Sequence, residues 1–465
     1  MVRDARAPGW RPGELAGDRP AYVALADAIA HDLARGRLAP GDRLPTHRAL
    51  AAELGVTVRT VARGYAEAER RGLVGGEVGR GTYVRTAFGL PATPSAAGTG
   101  AIDLAALHPP IAAGAWPAER LAATLRALSE DPVALRVVTD TEHSADHPTH
   151  RDAAAAWVAH RAFAPRGDDM LLTAGAQHAL SLCLLGLVPA GAKVATTAVT
   201  NPGLLAAARA LAVDLVAVDA DEDGMLPDAL QDACARETLA AVHVQPTYDN
   251  PRARTMPQAR RETLAEVAGS RGLWIVEDDP LGPLAPDRPP PLAALAAERT
   301  CYIGSAAKVL ALGLRVGMLA APEAAYPRLA AALRSSTWLT APLLGEVLAR
   351  WIRDGVAHQV VEQRIAACRD RHRVARDLLA DVEVHGDPGS PHLWIELPAP
   401  WSAGSFVAAA RDDGVLVAPG DDYVVERTRA AHGVRIGLNA EVSDDQLRSA
   451  LTRLRRLVPL GPSGT

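Results

Sequence analysis

Lysine is scarce in this sequence, so each lysine is a candidate for chemistry that arginine cannot perform. Of the 49 lysine and arginine residues, only Lys193 and Lys308 are lysines. A neutral lysine amine attacks carbonyl groups and forms Schiff bases. Lys308 follows a predicted strand in the small-residue turn 304–307, and Arg315 comes seven residues later. Lys193 begins a strand after Pro-Ala-Gly-Ala, where a solvated turn explains it, so Lys308 is the candidate for covalent chemistry.

Two other segments place polar groups at the ends of predicted strands. The apolar run 273–277 leads into Asp278 and Asp279, and a carboxylate there can reach a ligand in the crevice beyond the strand. Residues 172–177 end a strand and open a helix, where backbone N–H groups bind phosphate. A lysine, a carboxylate for a pyridinium N–H and a cationic, amide-lined phosphate cup are what pyridoxal 5′-phosphate requires. Taken singly, these segments are more simply explained as a turn, a capped helix and a solvated acid pair.

The elements that must position these residues alternate between β-rich and helical segments. After residue 100, apolar runs alternate with Ala/Leu-rich stretches, as in a doubly wound α/β domain. The last three runs, interleaved with helices, predict a smaller C-terminal α/β subdomain. The predicted strands are 170–173, 193–197, 214–218, 240–245, 273–277, 300–304, 315–320, 393–397, 415–418 and 434–438.

The first 85 residues have a different pattern, typical of a winged helix-turn-helix. The predicted elements are helices 20–35, 46–54 and 58–71, with Thr46 and Thr57 as N-caps, and two short strands around the glycine-rich segment 75–81. This part has 14 arginines and 10 acidic residues, a charge of +4 in a chain of net charge −5. A basic module on an acidic body is typical of nucleic-acid binding, although a helical subdomain with solvated arginines has the same pattern.

The third helix of such a domain lies in the major groove, where arginine reads guanine and threonine contacts phosphate or a thymine methyl. Val61 and Tyr65 are expected to face the core, which leaves the opposite side to double-stranded DNA. Arg48 is placed for the phosphate backbone, and Arg80 stands at the tip of the wing. The candidate DNA-binding residues are Arg48, Thr57, Arg59, Thr60, Arg63 and Arg80.

The run PGDRLPTHRALAAELGVTVRTVARGYAEAERRGLV at 40–74, followed by GRGTYV at 79–84, closely resembles the GntR-type winged-helix signature. The resemblance gives the DNA-contact positions to Arg48, Thr57, Arg59, Thr60 and the Gly79–Arg80 wing. One departure is Val58, where the family usually has arginine. The operator is therefore expected to differ from those of relatives.

Residues 101–465 resemble the fold-type I aminotransferases, which bind pyridoxal 5′-phosphate. The resemblance implies that Lys308 forms the Schiff base and Asp278 holds the pyridinium N–H, the two catalytic positions. It further implies that Asn250 bonds the cofactor's phenolic oxygen, that Arg315, Ser305 and the amides of Gly175, Ala176 and Gln177 bind the phosphate, and that Arg435 grips a substrate α-carboxylate. A GntR-type winged helix joined to this domain looks like the MocR branch of bacterial regulators, which commonly form homodimers.

Several positions depart from the aminotransferase pattern. Leu204 stands where the family has a tyrosine stacked on the pyridine ring, and Pro280-Leu281 replaces the segment with a second tyrosine. The usual serine before the lysine is Ala307, and Asn-Pro-Thr-Gly has become Asn-Pro-Arg-Ala at 250–253. The residues that would bind the cofactor are kept, whereas several that would adjust its reactivity are replaced. We therefore expect transamination to be weak or absent.

The predicted organisation is multidomain: a winged helix-turn-helix (α+β) at 17–85, a linker at 86–100 and an aminotransferase-like effector and dimerisation domain at 101–465. Three functions fit. The favoured one is a regulator that senses a small amino compound or the cofactor itself. The second is a regulator whose large domain is only a dimerisation scaffold, and the third is an active aminotransferase with a vestigial DNA-binding domain. The retained cofactor residues argue against the second, and the intact winged-helix signature argues against the third.

Composition argues against several other classes. No window holds ~18 consecutive apolar residues, so no membrane span is predicted. The charged, Pro/Gly-rich N-terminus lacks the apolar core of a secretion signal. The four cysteines are scattered without a CxxC pair, so we expect reduced thiols, no metal site and a cytoplasmic protein.

Overall fold

The chain divides into two compact units, Met1–Ala92 and Thr93–Thr465. The computed structural model describes residues 10–12, 20–35, 37–38, 42, 44–71, 73–77, 81–84, 100–111, 118–139, 147–426, 431–439 and 441–460. Arg80 at the predicted wing tip and nearly all of the predicted linker lie outside these residues. Each unit is described by itself.

Within its described residues, the N-terminal unit contains three helices and a pair of antiparallel strands. These are α1 (Ala21–Ala34), α2 (His47–Leu54), α3 (Val58–Arg70), β1 (Val74–Glu77) and β2 (Gly81–Val84), with β1 and β2 antiparallel. The Thr46 hydroxyl accepts a hydrogen bond from the N–H of Ala49, and Thr57 accepts one from the N–H of Thr60, so both predicted N-caps are confirmed. Gly55 ends α2 in the left-handed region, at φ 64°.

The core of this unit is formed by the inner faces of the helices. Leu25, Ile29 and Leu50 are buried there beside Val61 and Tyr65, which confirms the inward positions predicted for the last two. The Tyr65 hydroxyl donates to the carbonyl of Pro45 at 2.9 Å, and burial raises the pKa of this phenol. The outer side of α3 is thereby fixed toward solvent.

The larger unit alternates strands and helices. Its strands are β3 (Ile102–Asp103), β4 (Met170–Thr173), β5 (Lys193–Thr197), β6 (Leu215–Val218), β7 (Ala220–Asp221), β8 (Gly224–Met225), β9 (Leu239–Val244), β10 (Trp274–Asp278), β11 (Thr300–Ser305), β12 (Gly317–Ala320), β13 (Val384–His385), β14 (His392–Glu396), β15 (Val415–Leu416), β16 (Ala418–Pro419) and β17 (Gly433–Gly437). Its helices are α4 (Ala118–Ser129), α5 (Pro132–Thr139), α6 (Pro148–Val158), α7 (Ala176–Leu187), α8 (Pro202–Ala210), α9 (Pro227–Arg236), α10 (Gln258–Arg271), α11 (Leu292–Leu295), α12 (Tyr326–Ser336), α13 (Pro342–Arg353), α14 (Val356–Leu378), α15 (Ala403–Asp412) and α16 (Asp444–Leu457). Short 3₁₀ turns occur at Gly167–Asp169, Gly282–Leu284, Gly420–Tyr423 and Val458–Leu460.

Seven strands form the central sheet, in the order β4-β12-β11-β10-β9-β5-β6. The strands β11, β10, β9, β5 and β6 are parallel, so their carboxyl ends meet at one edge of the sheet. The strand β12 runs antiparallel to both of its neighbours. Helices cover both faces of the sheet. Leu180, Leu204 and Leu329 lie in one core cluster, and Leu230 and Leu264 lie in another.

The smaller subdomain contains an antiparallel sheet in the order β13-β14-β17-β16. The predicted strand 415–418 is divided here: β15 pairs with β3, and β16 pairs with β17. The predicted strand 315–320 begins only at Gly317, because residues 313–316 form the turn before it. The predicted fold class is confirmed: a winged helix-turn-helix and an α/β aminotransferase-like unit with a smaller subdomain.

A close backbone contact at Gly317 yields a stability prediction. A Cβ at this position would lie 2.4 Å from the carbonyl carbon of Gly175 and 2.5 Å from the Thr173 hydroxyl oxygen, so the two strands would have to separate. We expect Gly317→Ala to lower the free energy of unfolding of the larger unit by about 1–3 kcal/mol. Urea unfolding followed by tryptophan fluorescence measures this, with Gly313→Ala as the matched control because no atom lies within 4 Å of a Cβ there. Equal midpoints for the two variants would contradict the prediction.

Candidate functional site

Lys308 lies in the turn that follows β11, half-buried, with its Nζ donating to the carbonyl of Leu107 at 3.1 Å. Burial, together with the nearby positive charges of Arg435 and Arg315, lowers the pKa of this amine to about 8. Desolvation disfavours the ammonium form. A substantial share of Lys308 is therefore neutral, and so nucleophilic, near physiological pH.

Asp278 is the last residue of β10 and is buried. Its Oδ2 accepts hydrogen bonds from the side-chain amides of Asn201 at 3.2 Å and Gln245 at 2.8 Å. The Nε2 of His243 lies 3.6 Å from the same oxygen and has no hydrogen-bond partner among the described residues. The His243 Nδ1 contacts the Thr196 hydroxyl at 3.2 Å, which holds the ring in place. These neighbours provide donors for an ionised carboxylate.

Asn250 and Arg435 are in direct contact although 185 residues separate them. The Arg435 Nη1 donates to the Asn250 Oδ1 at 3.1 Å, and its Nη2 donates to the carbonyl of Ala105. The guanidinium is buried, lies 5.7 Å from the centre of the Tyr423 ring, and has an Nε–H with no partner among the described residues. The backbone N–H of Asn250 donates to the Gln245 Oε1 at 3.3 Å, which links this pair to Asp278.

The predicted phosphate cup lies at the N-terminus of α7. Gly175 adopts φ +91°, and a Cβ there would lie 2.8 Å from the Arg315 Nη2, so the guanidinium lies against this turn. Ala176 and Gln177 begin the helix, but the side chain of Gln177 donates to the carbonyl of Gly203 at 2.8 Å. The side chain of Gln177 is thus turned toward Gly203, and the N–H of Gly175 donates to the carbonyl of Thr173 at 2.8 Å, so the backbone N–H groups of Ala176 and Gln177 are the candidates for ligand contact.

Ser305, the last residue of β11, is buried, and its hydroxyl oxygen accepts a hydrogen bond from the N–H of Ala307 at 3.2 Å. The hydroxyl therefore shapes the turn that carries Lys308. Sequence reasoning missed Asn201, Gln245 and His243. His243 and Gln245 lie in and just after β9, the strand next to β10, and Asn201 follows β5, the strand after that. Only the order of strands in the sheet shows that these residues lie near Asp278.

The positions that depart from the aminotransferase pattern are part of the core. Leu204 is fully buried in the cluster that contains Leu180. Leu281 packs with Leu107 and Tyr248 in a separate cluster beside the Lys308 turn. Both side chains contribute apolar packing where a tyrosine hydroxyl is expected from the resemblance.

The candidate DNA-contact residues lie on the outer side of α3 and at the start of α2. Arg48, Arg59 and Arg63 are exposed, and Arg63 lies over the Tyr22 ring at 4.1 Å. The hydroxyls of Thr57 and Thr60 are 2.8 Å apart. Val58 is 47% exposed, so the apolar residue that replaces the family's arginine faces solvent.

Comparison with known proteins identifies both parts of the chain. Residues 21–84 match the model for bacterial regulatory proteins of the gntR family, and residues 114–454 match the model for aminotransferase class I and II. The chain belongs to the aminotransferase class I and II family. A GntR-type domain placed before an aminotransferase-like domain is the arrangement of MocR-type transcription regulators.

Full-length relatives have the same organisation. The uncharacterized HTH-type transcriptional regulator YdeF of Bacillus subtilis is 27% identical over 466 residues, covering 97% of this chain and 96% of the relative. The HTH-type pyridoxine biosynthesis transcriptional regulator PdxR of Corynebacterium glutamicum is 26% identical over 470 residues, covering 94% and 96%. An archaeal alanine:glyoxylate aminotransferase superposes with a TM-score of 0.70 at 22% identity, covering 77% of this chain and 91% of that structure. Across the described residues, no helix is long and apolar enough to cross a membrane.

The two lysines allow a direct test of the electrostatics of the site. We expect the Lys308 amine to titrate near pH 8, against an ordinary value of 10.5. We expect Lys193 to titrate above its ordinary value, because its Nζ donates to Glu237 at 2.7 Å. Reductive ¹³C-methylation followed by NMR titration reports each lysine separately, and Lys193→Arg assigns the two signals. A Lys308 midpoint at or above 10.5 would contradict the geometry described here.

Proposed function

We propose that this transcription regulator binds pyridoxal 5′-phosphate in its aminotransferase-like unit and responds there to a small amino compound. The observation that carries the proposal is the contact network joining Asp278, Gln245, Asn250 and Arg435, with Lys308 held toward its neutral form beside it. A dimerisation scaffold has no use for such a network, since burying these polar groups is costly.

The residues present fit this cofactor. The turn at Gly175 has no room for a Cβ, because the guanidinium of Arg315 lies against it. The helix N-terminus at this turn favours a phosphate dianion. The Asp278 carboxylate is buried at the end of β10, beside β11, the strand that leads into Lys308, which suits a pyridinium N–H. Lys308 would hold the cofactor covalently, Asn250 would bond its phenolic oxygen, and Ser305 would bind the phosphate with Arg315 while its oxygen also holds the lysine turn. When bound, the cofactor supplies an aldehyde that reacts with primary amines.

Arg435 would bind the carboxylate of the amino compound. Its guanidinium is fixed by Asn250, the Ala105 carbonyl and the Tyr423 ring, and its Nε–H is free among the described residues. A fixed guanidinium binds a carboxylate by paired hydrogen bonds at little entropic cost. Asn250 therefore serves both the cofactor and the orientation of Arg435.

The protein would act as a sensor rather than a catalyst. Leu204 and Leu281 are core residues, so neither position supplies a phenol to adjust the proton affinity of the cofactor. The absence of a phenol would weaken cofactor binding less than it would lower the rate of transamination. A relative named for control of pyridoxine biosynthesis is consistent with a regulator in which the cofactor carries the signal.

The winged helix, which we place at 17–85, would bind double-stranded DNA, and the large unit at 101–465 would receive the signal and form the homodimer. Residues 86–100 would connect them. Arg59, Arg63, Thr57, Thr60 and Arg48 would contact the DNA, with Arg80 at the wing. Exposed Val58 would read a thymine methyl rather than the base edge or phosphate that arginine contacts in relatives.

The DNA assignment yields a binding prediction. Arg59→Ala should weaken specific binding by about 1–3 kcal/mol because it removes a base contact. Arg35→Ala, which removes the same charge from the exposed end of α1, should leave specificity unchanged. Fluorescence anisotropy on a duplex selected by the wild-type protein from a random pool measures both, and wild-type binding should fall steeply with salt. Equal affinities of the wild type and Arg59→Ala would remove α3 from the proposed interface.

The cofactor assignment yields a labelling prediction. Protein mixed with pyridoxal 5′-phosphate and reduced with borohydride should carry the pyridoxyl group on Lys308. The variant Lys308→Ala should lose the label and the absorbance of the covalently bound cofactor, whereas Lys193→Ala should retain both. A label on Lys193, or no label in a folded protein, would instead favour the hypothesis that the large unit is only a dimerisation scaffold.

A further inference from the structure

A cavity of about 260 Å³ borders Lys308 but involves a separate set of side chains. Among its described lining residues, Lys308 is the only one of the proposed cofactor-binding set. The lining also includes Arg364, from the middle of α14, and the apolar residues Leu121, Leu312 and Trp351. The reactive lysine and a buried arginine thus border the same cavity.

Arg364 is 4% exposed, and its hydrogen bonds are incomplete. Its Nη1 donates to the carbonyls of Pro109 and Pro110, and its Nη2 donates to the carbonyl of Leu310 at 3.1 Å. Its Nε–H has no partner among the described residues. A buried donor without a partner is rare in proteins and indicates a missing acceptor.

Arg364 also has no ion-pair partner among the described residues, and Glu441 acts on its charge only from beyond ion-pair distance. No carboxylate of the described residues lies within ion-pair distance of its guanidinium, and three carbonyl dipoles are its only acceptors there. Glu441 lines the same cavity, but it pairs with His108 at 2.8 Å. Burial lowers the pKa of Arg364 to about 10, so it is still a cation at neutral pH. The buried guanidinium therefore favours an anionic group in direct contact with it.

The shape and chemistry of the cavity define a ligand class. Its volume lies just below the ~300–1,000 Å³ of typical small-molecule sites. Apolar walls suit a chain of methylenes or a small ring, and a carboxylate at the end of that chain would satisfy Arg364 by a charge-assisted hydrogen bond. A cationic end group would meet Arg364 unfavourably.

We propose that this cavity holds the side chain of the sensed amino compound, and that the compound is an amino acid whose apolar side chain ends in a carboxylate. The inference rests on the proposed function, because it places the amino group at Lys308. It assigns to Arg364 the recognition of the distal carboxylate, while Arg435 recognises the α-carboxylate.

Three six-carbon amino acids with different ends test the proposal: L-2-aminoadipate, L-norleucine and L-lysine. Isothermal titration calorimetry and the absorbance of the bound cofactor are followed on the full chain loaded with pyridoxal 5′-phosphate. L-2-aminoadipate should bind roughly ten- to a hundredfold more tightly than L-norleucine, the range for one hydrogen bond to a charged group. L-lysine should bind most weakly.

Two variants separate recognition from stability. Arg364→Gln should reduce the affinity for L-2-aminoadipate to that for L-norleucine and leave L-norleucine unchanged. Ala118→Phe, at the exposed start of α4, narrows the cavity without touching the Arg364 hydrogen bonds and should weaken all three amino acids about tenfold. It keeps the proposal testable if Arg364→Gln does not fold.

The outcomes are distinguishable. If all three amino acids bind equally, or if the folded variants bind as the wild type does, the sensing role stands and the assignment of this cavity is overturned. If none of the three binds or changes the absorbance while the cofactor is bound, both the sensing role and the cavity assignment fail. Selective loss of L-2-aminoadipate in Arg364→Gln supports both.

Discussion

The buried carboxylate of Asp278 is the constraint on which the rest of the site depends. A charge removed from water must be compensated by donors fixed nearby, or its burial would cost several kcal/mol. Asn201 follows β5, Gln245 follows β9 and Asp278 ends β10, and these three strands are neighbours in the central sheet. The order and register of the parallel strands therefore determine whether the carboxylate can exist as an anion. The same amide of Gln245 then reaches Asn250, and through it Arg435, so the compensation of one charge also orients the groups that would meet a ligand.

Two arginines act on the charge of Lys308. Lys308 lies in the turn after β11, Arg315 in the segment before β12 and Arg435 in the smaller subdomain. Like charges in a partly desolvated site repel, and the lysine is the only one of the three that can relieve the repulsion by losing a proton. The arrangement that attracts a phosphate and a carboxylate thus also activates the amine. Under the proposed function, substituting arginine for Lys308 would keep the charge and lose the reactivity.

Much of this fold could be predicted from the sequence, for identifiable reasons. The strands 170–173 and 193–197 coincide with the prediction because both are short segments of apolar or β-branched residues bounded by turns. The caps at Thr46 and Thr57 follow from local chemistry alone.

The division of 415–418 could not be predicted, since a strand that changes partners has the same local pattern as one that does not. Asn201, Gln245 and Arg364 were missed for a related reason: their importance comes from contacts with segments tens to hundreds of residues away. Individual polar residues have no periodicity to reveal them.

The replaced tyrosines show why a cofactor site can persist when turnover does not. Loss of a stacked ring costs about 1 kcal/mol of contact, and loss of a phenol hydrogen bond costs about another 1 kcal/mol. Together they weaken binding by roughly thirtyfold, which a covalent bond to Lys308, the Asp278 charge and the phosphate turn can outweigh. Leu204 and Leu281 also return part of that energy, because both are buried in apolar clusters where a phenol would need its own partner.

Catalysis has no such compensation. It depends on the alignment of one scissile bond and on proton affinities at single atoms, and displacement of about 1 Å can lower the rate a hundredfold. Under the proposed function, selection would retain the residues that hold the ligand, and residues that only accelerate its reaction could be replaced by core residues.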